Sequence, residues 1–142
     1  MGVLCIFIVK FILAVEIFLS LIMSIKFYKV DVNAVVPERH STGAAGYDLR
    51  SIQNVVVNPN EFVTIKTGLF IDLKNDILGI ILSRSGLSFK NGLEVKNSYV
   101  VDRKEMEVTL FNNSLQPFQV EKGMRIAQLV FMKKNEKGYE IK

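Results

Sequence analysis

From Met23 onward the chain is a succession of short runs that alternate apolar and polar residues, each closed by a turn signal. The runs are Ile25–Val30, Asn54–Val57, Phe62–Leu73, Leu78–Ser83, Leu93–Lys96, Glu107–Asn112, Phe118–Val120 and Ile126–Lys133. Between them stand Thr42-Gly43, Pro59-Asn60, Lys74-Asn75-Asp76, Lys90-Asn91-Gly92, Asn112-Asn113-Ser114 and Lys122-Gly123. Alternation with period two and enrichment in β-branched residues mark strands half buried against a core. Many short strands at this spacing predict an all-β barrel or sandwich. Arg84–Lys90 is the one stretch that reads as a short helical turn. No internal repeat, low-complexity linker or domain boundary follows Met23.

A chain of 142 residues is long enough for one domain of ordinary size. With 49% hydrophobic and 23% charged residues it can bury a core. The net charge of +4 is spread out, and no Lys/Arg block forms a stripe, so no nucleic-acid partner is expected. Cys5 is the single cysteine, which excludes an internal disulfide framework and a cysteine-based zinc site. His40 is the single histidine, which leaves little material for a His-ligated metal centre or a Ser-His-Asp triad. The chemistry must therefore run on carboxylates, hydroxyls, arginines and backbone amides.

Met1–Ile25 is apolar almost throughout, with only Lys10 and Glu16 charged. Roughly 20 apolar residues can span a bilayer as a helix. Both charges, however, sit near the middle of the stretch, where each costs about 2.5–3.5 kcal/mol. An Ala-x-Ala cleavage site is absent, and so is an early positive charge. The residues after Met23 open directly into a strand pattern. The expected organisation is thus a hydrophobic extension over residues 1–22 and a folded domain over residues 23–142, with translation starting at Met23. The domain is expected to be soluble and intracellular, with membrane association only if residues 1–22 are retained.

Three segments depart from ordinary strand-and-turn composition. Ser41-Thr42-Gly43-Ala44-Ala45-Gly46-Tyr47-Asp48-Leu49 sets small residues, which permit close backbone approach, before a carboxylate that opens an extended run. A Gly-rich turn with Asp48 as a local cap accounts equally well for it. Ser83-Arg84-Ser85-Gly86-Leu87 combines a guanidinium, hydroxyls and open backbone, the materials of a phosphate cradle. Gly123-Met124-Arg125-Ile126-Ala127-Gln128-Leu129-Val130-Phe131 puts Gln128 inside an apolar strand, where its amide needs partners.

Taken in order, GAAGYDL, TGLFIDL, SRSGL, VVD, LFN and GMRIAQLVF resemble the motifs of the trimeric dUTP diphosphatase (dUTPase) family, from about Val36 to Phe131. The resemblance implies a jelly-roll-type β-barrel, a homotrimer with active sites between subunits, and hydrolysis of dUTP to dUMP and pyrophosphate with Mg²⁺. It implies that Arg84, Ser85, Gly86 and Gln128 hold phosphate oxygens and that Asp48 supports the metal-bound phosphate region through water. It also implies that Asp102 activates the attacking water, and that Asn97, Ser98, Tyr99, Val100 and Val101 belong to the hairpin that reads uracil through main-chain groups. No direct protein ligand to the metal is expected, because Mg²⁺ takes its ligands largely from phosphates and water.

Two features depart from the family pattern. Tyr99 stands where the family has a glycine before the Val-Val-Asp triplet, and about three residues after Asp102 are missing, including the tyrosine that packs beneath deoxyribose. The C-terminus, Lys133 to Lys142, has one glycine and lacks the family's Gly-rich arm; Tyr139 is its only aromatic. A shortened hairpin changes which amides face the base, since a slip by one residue reverses side-chain direction. These departures motivate an alternative reading, a catalytically impaired dUTPase-like protein that keeps the trimer scaffold and acts by binding nucleotide or protein. His40, in Pro37-Glu38-Arg39-His40, reads as a solvated loop residue.

Overall fold

The computed structural model describes residues 25–100 and 102–134. The expectations about residues 1–22, Val101 and Tyr139 lie outside the described residues. Among the described residues nine strands and one short helix follow in order: β1 (Ile25–Lys29), β2 (Tyr47–Arg50), β3 (Val55–Val57), β4 (Phe62–Leu73), β5 (Ile77–Leu82), α1 (Ser85–Asn91), β6 (Leu93–Val95), β7 (Lys104–Asn112), β8 (Phe118–Val120) and β9 (Arg125–Lys133). They form sheets ordered β1-β4-β7-β6, β2-β9-β5 and β3-β8, with every pairing antiparallel. The fold is all-β and of jelly-roll type, as the strand pattern and the motif order imply.

One core receives a residue from almost every strand. Leu49, Val57, Ile65, Leu69, Ile81, Leu93, Leu110, Val120, Ile126 and Leu129 are all buried there. Antiparallel sheets that bury one face and solvate the other yield this inward-outward alternation. Strand β4 keeps its odd-numbered residues inward along its length although its register against β7 shifts between Lys66 and Phe70. Lys66 pairs with Glu107 and Phe70 with Glu105, so β4 carries two extra residues there and the alternation stays in phase. Gly68, at φ +67, makes the bulge; a Cβ there would sit 2.8 Å from that of Asp31. Thr67 repairs the interrupted ladder by donating its hydroxyl to the Met106 carbonyl at 2.6 Å. Asn112, fully buried, donates to the carbonyls of Val57 and Gln116, each at 2.8 Å, and accepts from Ser114, tying β3 and β7 to the following turn. A buried amide so satisfied costs little and fixes a unique arrangement.

Two strand boundaries correct the sequence-based reading. Tyr47–Arg50 is a strand that the alternating runs left out, because four residues carry too little pattern to register alone; β9 supplies its partner. Strand β7 begins at Lys104, three residues before Glu107, since Lys104 and Glu105 pair with Ile71 and Phe70 beyond the bulge.

Candidate active site

Strand β9 is the centre of its sheet and places Gln128 directly opposite Asp48 on one side and Leu82 on the other. Directly opposed residues share a face, so Asp48, Gln128 and Leu82 point the same way, outward from the core. Tyr47 and Leu49 flank Asp48 on the other face: Leu49 is fully buried, and the Tyr47 ring packs 6.0 Å from that of Phe131. Gly46 allows β2 to lie this close to β9. A Cβ at Gly46 would come within 2.6 Å of Gln128 Cγ and 2.8 Å of the Leu129 carbonyl oxygen. Of the small residues before Asp48, Gly46 is thus the glycine that close approach requires, while a Cβ at Gly43 would meet nothing.

Past Leu82 the chain leaves β5. Ser83 accepts the Val95 backbone N–H at 2.9 Å, and Arg84, in extended conformation, precedes α1. Arg84 provides no side-chain cap, so the first N–H groups of the helix, including those of Ser85 and Gly86, have no capping acceptor. Neither a positive φ nor crowding explains glycine at 86, where a Cβ would meet nothing within 4 Å.

The Asp48 carboxylate joins two guanidiniums. Arg84 Nε lies 3.5 Å from Oδ1 and Arg125 Nη1 lies 3.3 Å from Oδ2. Arg84 Nη1 also donates to the Arg125 carbonyl at 3.2 Å. Arg125 Nη1 lies 3.0 Å from His40 Nδ1, in a loop held to β2 by the hydrogen bond from the Asp48 N–H to the Glu38 carbonyl. Two cations around one anion leave the site with a positive surplus. The Asp48 side chain is 13% exposed, so these charges are screened less than on an open surface. A cleft of about 200 Å³ opens beside Asp48, lined also by Glu38, Arg39, His40 and Arg50. Anion binding is what such a set of donors can do.

Arg125 reaches this cluster through an irregularity. By simple alternation along β9, Arg125 and Gln128 would lie on opposite faces. The β2–β9 register shifts between Leu49, which pairs with Ala127, and Arg50, which pairs with Arg125. Ile126 is the extra residue, turns into the core and is 1% exposed, and Arg125 comes round to the Asp48 face. Arg125 and His40 are the two members of the cluster that the sequence reading did not assign. The visible signal for Arg125 was a charged residue three before Gln128; nothing in the sequence announced the bulge or the contact to His40.

Asp102 stands elsewhere. Its Oδ1 accepts the Leu73 backbone N–H at 2.7 Å, closing the end of β4, and Oδ2 lies 3.9 Å from Arg103 Nε. Arg103 takes a left-handed φ of 55 and donates its N–H to the Ile71 carbonyl, closing a tight turn after Asp102. The preceding segment runs antiparallel to β5 through the Ile80–Tyr99 bridge. Asp102 therefore lies toward the start of β5, and Arg84 lies beyond its far end. At about 3.3 Å per residue the two are on the order of 20 Å apart along the strand.

The segment before Asp102 is clamped at both ends. Asn97 donates to the Glu107 carbonyl and accepts the Thr109 N–H, each at 2.6 Å, so its amide replaces a peptide unit against β7. The Ser98 carbonyl accepts from Ile81, and the Val100 N–H donates to Gly79. A Cβ at Gly79 would come within 2.8 Å of Val100 Cγ2, so glycine there lets Val100 seat against β5. The backbone N–H and C=O of Tyr99 lie on the edge turned away from β5, and the residue is 66% exposed.

A family model for dUTPase matches residues 32–142. The chain is 38% identical over 113 residues to the deoxyuridine 5'-triphosphate nucleotidohydrolase of Encephalitozoon cuniculi, covering 78% of each protein. To the enzyme of the same name from Paramecium bursaria Chlorella virus 1 it is 40% identical over 101 residues, covering 69% of this chain and 71% of that one. Among solved structures, a mutant dUTPase of Staphylococcus bacteriophage 80alpha with dUpNHpp is 25% identical with a TM-score of 0.75, covering 82% of this chain and 86% of that one. The dUTPase of phage phi11 of S. aureus, a mutant described with a structural Mg(II) ion, shares the fold at a TM-score of 0.75 and 23% identity, over 82% of this chain and 95% of that one. No helix among the described residues is long and apolar enough to cross a membrane.

Proposed function

The chain belongs to the dUTPase family, and from that premise we propose that it hydrolyses dUTP to dUMP and pyrophosphate at sites shared between the subunits of a homotrimer. Residues 23–142 form the catalytic unit. The observation that carries the reading is the cationic cluster on the outer face of β9. Arg84 and Arg125, gathered by Asp48, lie with Gln128 and the open helix turn at Ser85 and Gly86. These groups present guanidinium, amide and backbone N–H donors to the oxygens of a triphosphate. The bare backbone at Gly86, which folding of the single chain does not demand, is explained by close approach of a phosphate.

Among the described residues no group of three or more His, Cys, Asp or Glu side chains could hold a metal ion, and the Asp48 carboxylate is already engaged by arginines. This donor set fits a Mg²⁺ ion that enters bound to the triphosphate, with Asp48 facing the phosphate region through water. Bound in that way, the ion neutralises charge on non-bridging oxygens. The protein's own residues do the rest. Arg84, Ser85, Gly86 and Gln128 orient the phosphate chain. Asp102 takes the proton of the water that attacks the α-phosphorus, with pyrophosphate leaving. The N–H and C=O of Tyr99, turned away from β5, are main-chain groups able to meet a uracil edge.

The separation of Asp102 from Arg84 within one chain supports the shared site, since one phosphoryl group cannot touch both from a single copy. A closed ring of identical subunits brings the Asp102 end of one against the cluster of the next. The test is pyrophosphate release by the purified 23–142 chain with Mg²⁺, run in parallel on dUTP, dTTP, dCTP and UTP. The expected result is turnover of dUTP, with the other three slower by at least about tenfold, a discrimination of the size a snug pocket supplies. Turnover no greater than that of Asp102→Ala rejects the enzyme. Tight binding of a non-hydrolysable dUTP analogue without turnover would point instead to the impaired, binding-only protein.

A further inference from the structure

We infer that His40 is a positioning residue of the phosphate site, its unprotonated Nδ1 holding Arg125 in the orientation that presents the rest of its guanidinium to the phosphate chain; this rests on the assignment of that cluster to phosphate binding. The geometry is specific. Arg125 Nη1 lies 3.0 Å from His40 Nδ1 and 3.3 Å from Asp48 Oδ2. Nη1 carries two N–H bonds, and His40 and Asp48 take one each. A guanidinium has five N–H donors in a planar fork, so three remain on Arg125, one on Nε and two on Nη2. Asp48 alone, through a single contact to Nη1, would let that fork rotate. A second acceptor on the same nitrogen fixes the plane. The Nδ1 atom can accept only when it carries no proton, which places the ring hydrogen on Nε2.

His40 is well placed to be more than a bystander. Its loop is tied to β2 by the Asp48 N–H to Glu38 carbonyl bond and closed by the Ala44 N–H to Ser41 carbonyl bond. Position 40 thereby stays beside the same residue that anchors both arginines. The effect on substrate is indirect: His40 holds Arg125, and Arg125 meets the phosphate.

The experiment compares His40→Ala with His40→Asn, because an asparagine carbonyl can stand where Nδ1 stands and accept from Nη1. In steady-state hydrolysis of dUTP, His40→Ala should raise KM about tenfold with little change in kcat, the loss of one charge-assisted hydrogen bond that acts through binding. His40→Asn should return KM to within about twofold of wild type. Arg125→Ala should cost more, and His40→Ala added to Arg125→Ala should cost nothing further, since the two act as one unit. Wild-type KM in His40→Ala overturns the inference. So does a KM defect that asparagine fails to restore, or one that adds in full to the Arg125 defect. Calorimetric titration with inorganic pyrophosphate provides a second readout free of turnover. If the wild-type chain fails to hydrolyse dUTP yet binds pyrophosphate more weakly as His40→Ala and normally as His40→Asn, the enzyme assignment falls and the role of His40 stands. Equal pyrophosphate affinity in all three removes that role.

Discussion

Replacing Asp102 by asparagine is expected to lower kcat by about 10²–10⁴, the usual contribution of a positioned general base, while leaving KM within a few-fold of wild type. Asparagine is the informative choice because the proposed base also carries a structural hydrogen bond. Its Oδ1 accepts the Leu73 N–H at 2.7 Å, a backbone donor at the end of β4 that would otherwise lose its partner. Asparagine keeps an oxygen there and removes the charge, so the Tm should stay close to wild type. Alanine removes both, and an unsatisfied part-buried donor costs about 1–3 kcal/mol. Asp102→Ala should therefore lose activity and also unfold several degrees earlier. Steady-state kinetics and thermal denaturation of the pair separate catalysis from capping. A fully active Asp102→Asn would show that another group accepts the water's proton.

The second large effect falls at the opposite end of β5. Arg84→Ala removes a guanidinium that contacts Asp48 through Nε and the Arg125 carbonyl through Nη1, with three N–H donors left for substrate. It should lower kcat/KM for dUTP by about 10²–10³, the size expected for deleting a donor that faces developing charge on phosphate. Arg84→Lys should recover little, because an ammonium supplies a point charge and cannot reproduce the planar fork. Stability should change by less than about 1 kcal/mol, since the Arg84–Asp48 pair is part exposed and Arg125 remains with the carboxylate. Pyrophosphate release and denaturant melts of both variants check these expectations. An Arg84→Lys enzyme as fast as wild type would contradict bidentate phosphate recognition.

Much of this architecture was legible from alternation and turn residues. Phe62–Leu73 and Phe118–Val120 stand as strands at the boundaries their patterns suggest, and the Ser85–Asn91 helix lies one residue from the expected turn. Period two is a local signal, and where a strand is long it suffices. Tyr47–Arg50 shows where it fails: four residues hold two apolar and two polar positions, and only pairing with β9 distinguishes them from a loop. Gln128 was conspicuous because a polar residue in an apolar run needs partners, and register then places it across from Asp48. Arg125 was opaque for the opposite reason. Alternation assigns it to the wrong face, and the single extra residue at Ile126 that corrects this is a property of two strands together. His40 is exposed in its loop, as its polar neighbours in sequence suggest; what they do not show is the contact to Arg125, 85 residues away in the chain. Glycines were ambiguous in the same way. Gly46 is sterically demanded by β9 and Gly79 by Val100, whereas Gly86 is not demanded within one chain at all.

Asp102 and the arginine cluster lie at opposite ends of β5, so the proposed site forms only where they meet between copies. Mixed trimers test that requirement most directly. Asp102→Asn and Arg84→Ala chains, each nearly inactive alone, are co-expressed in equal amounts and assayed for pyrophosphate release from dUTP. Random assembly in a closed ring gives each site an intact Asp102 from one subunit and an intact Arg84 from another about one quarter of the time. Activity near that fraction of wild type is the predicted result, and a mixture no more active than its two parents would contradict a site shared between subunits.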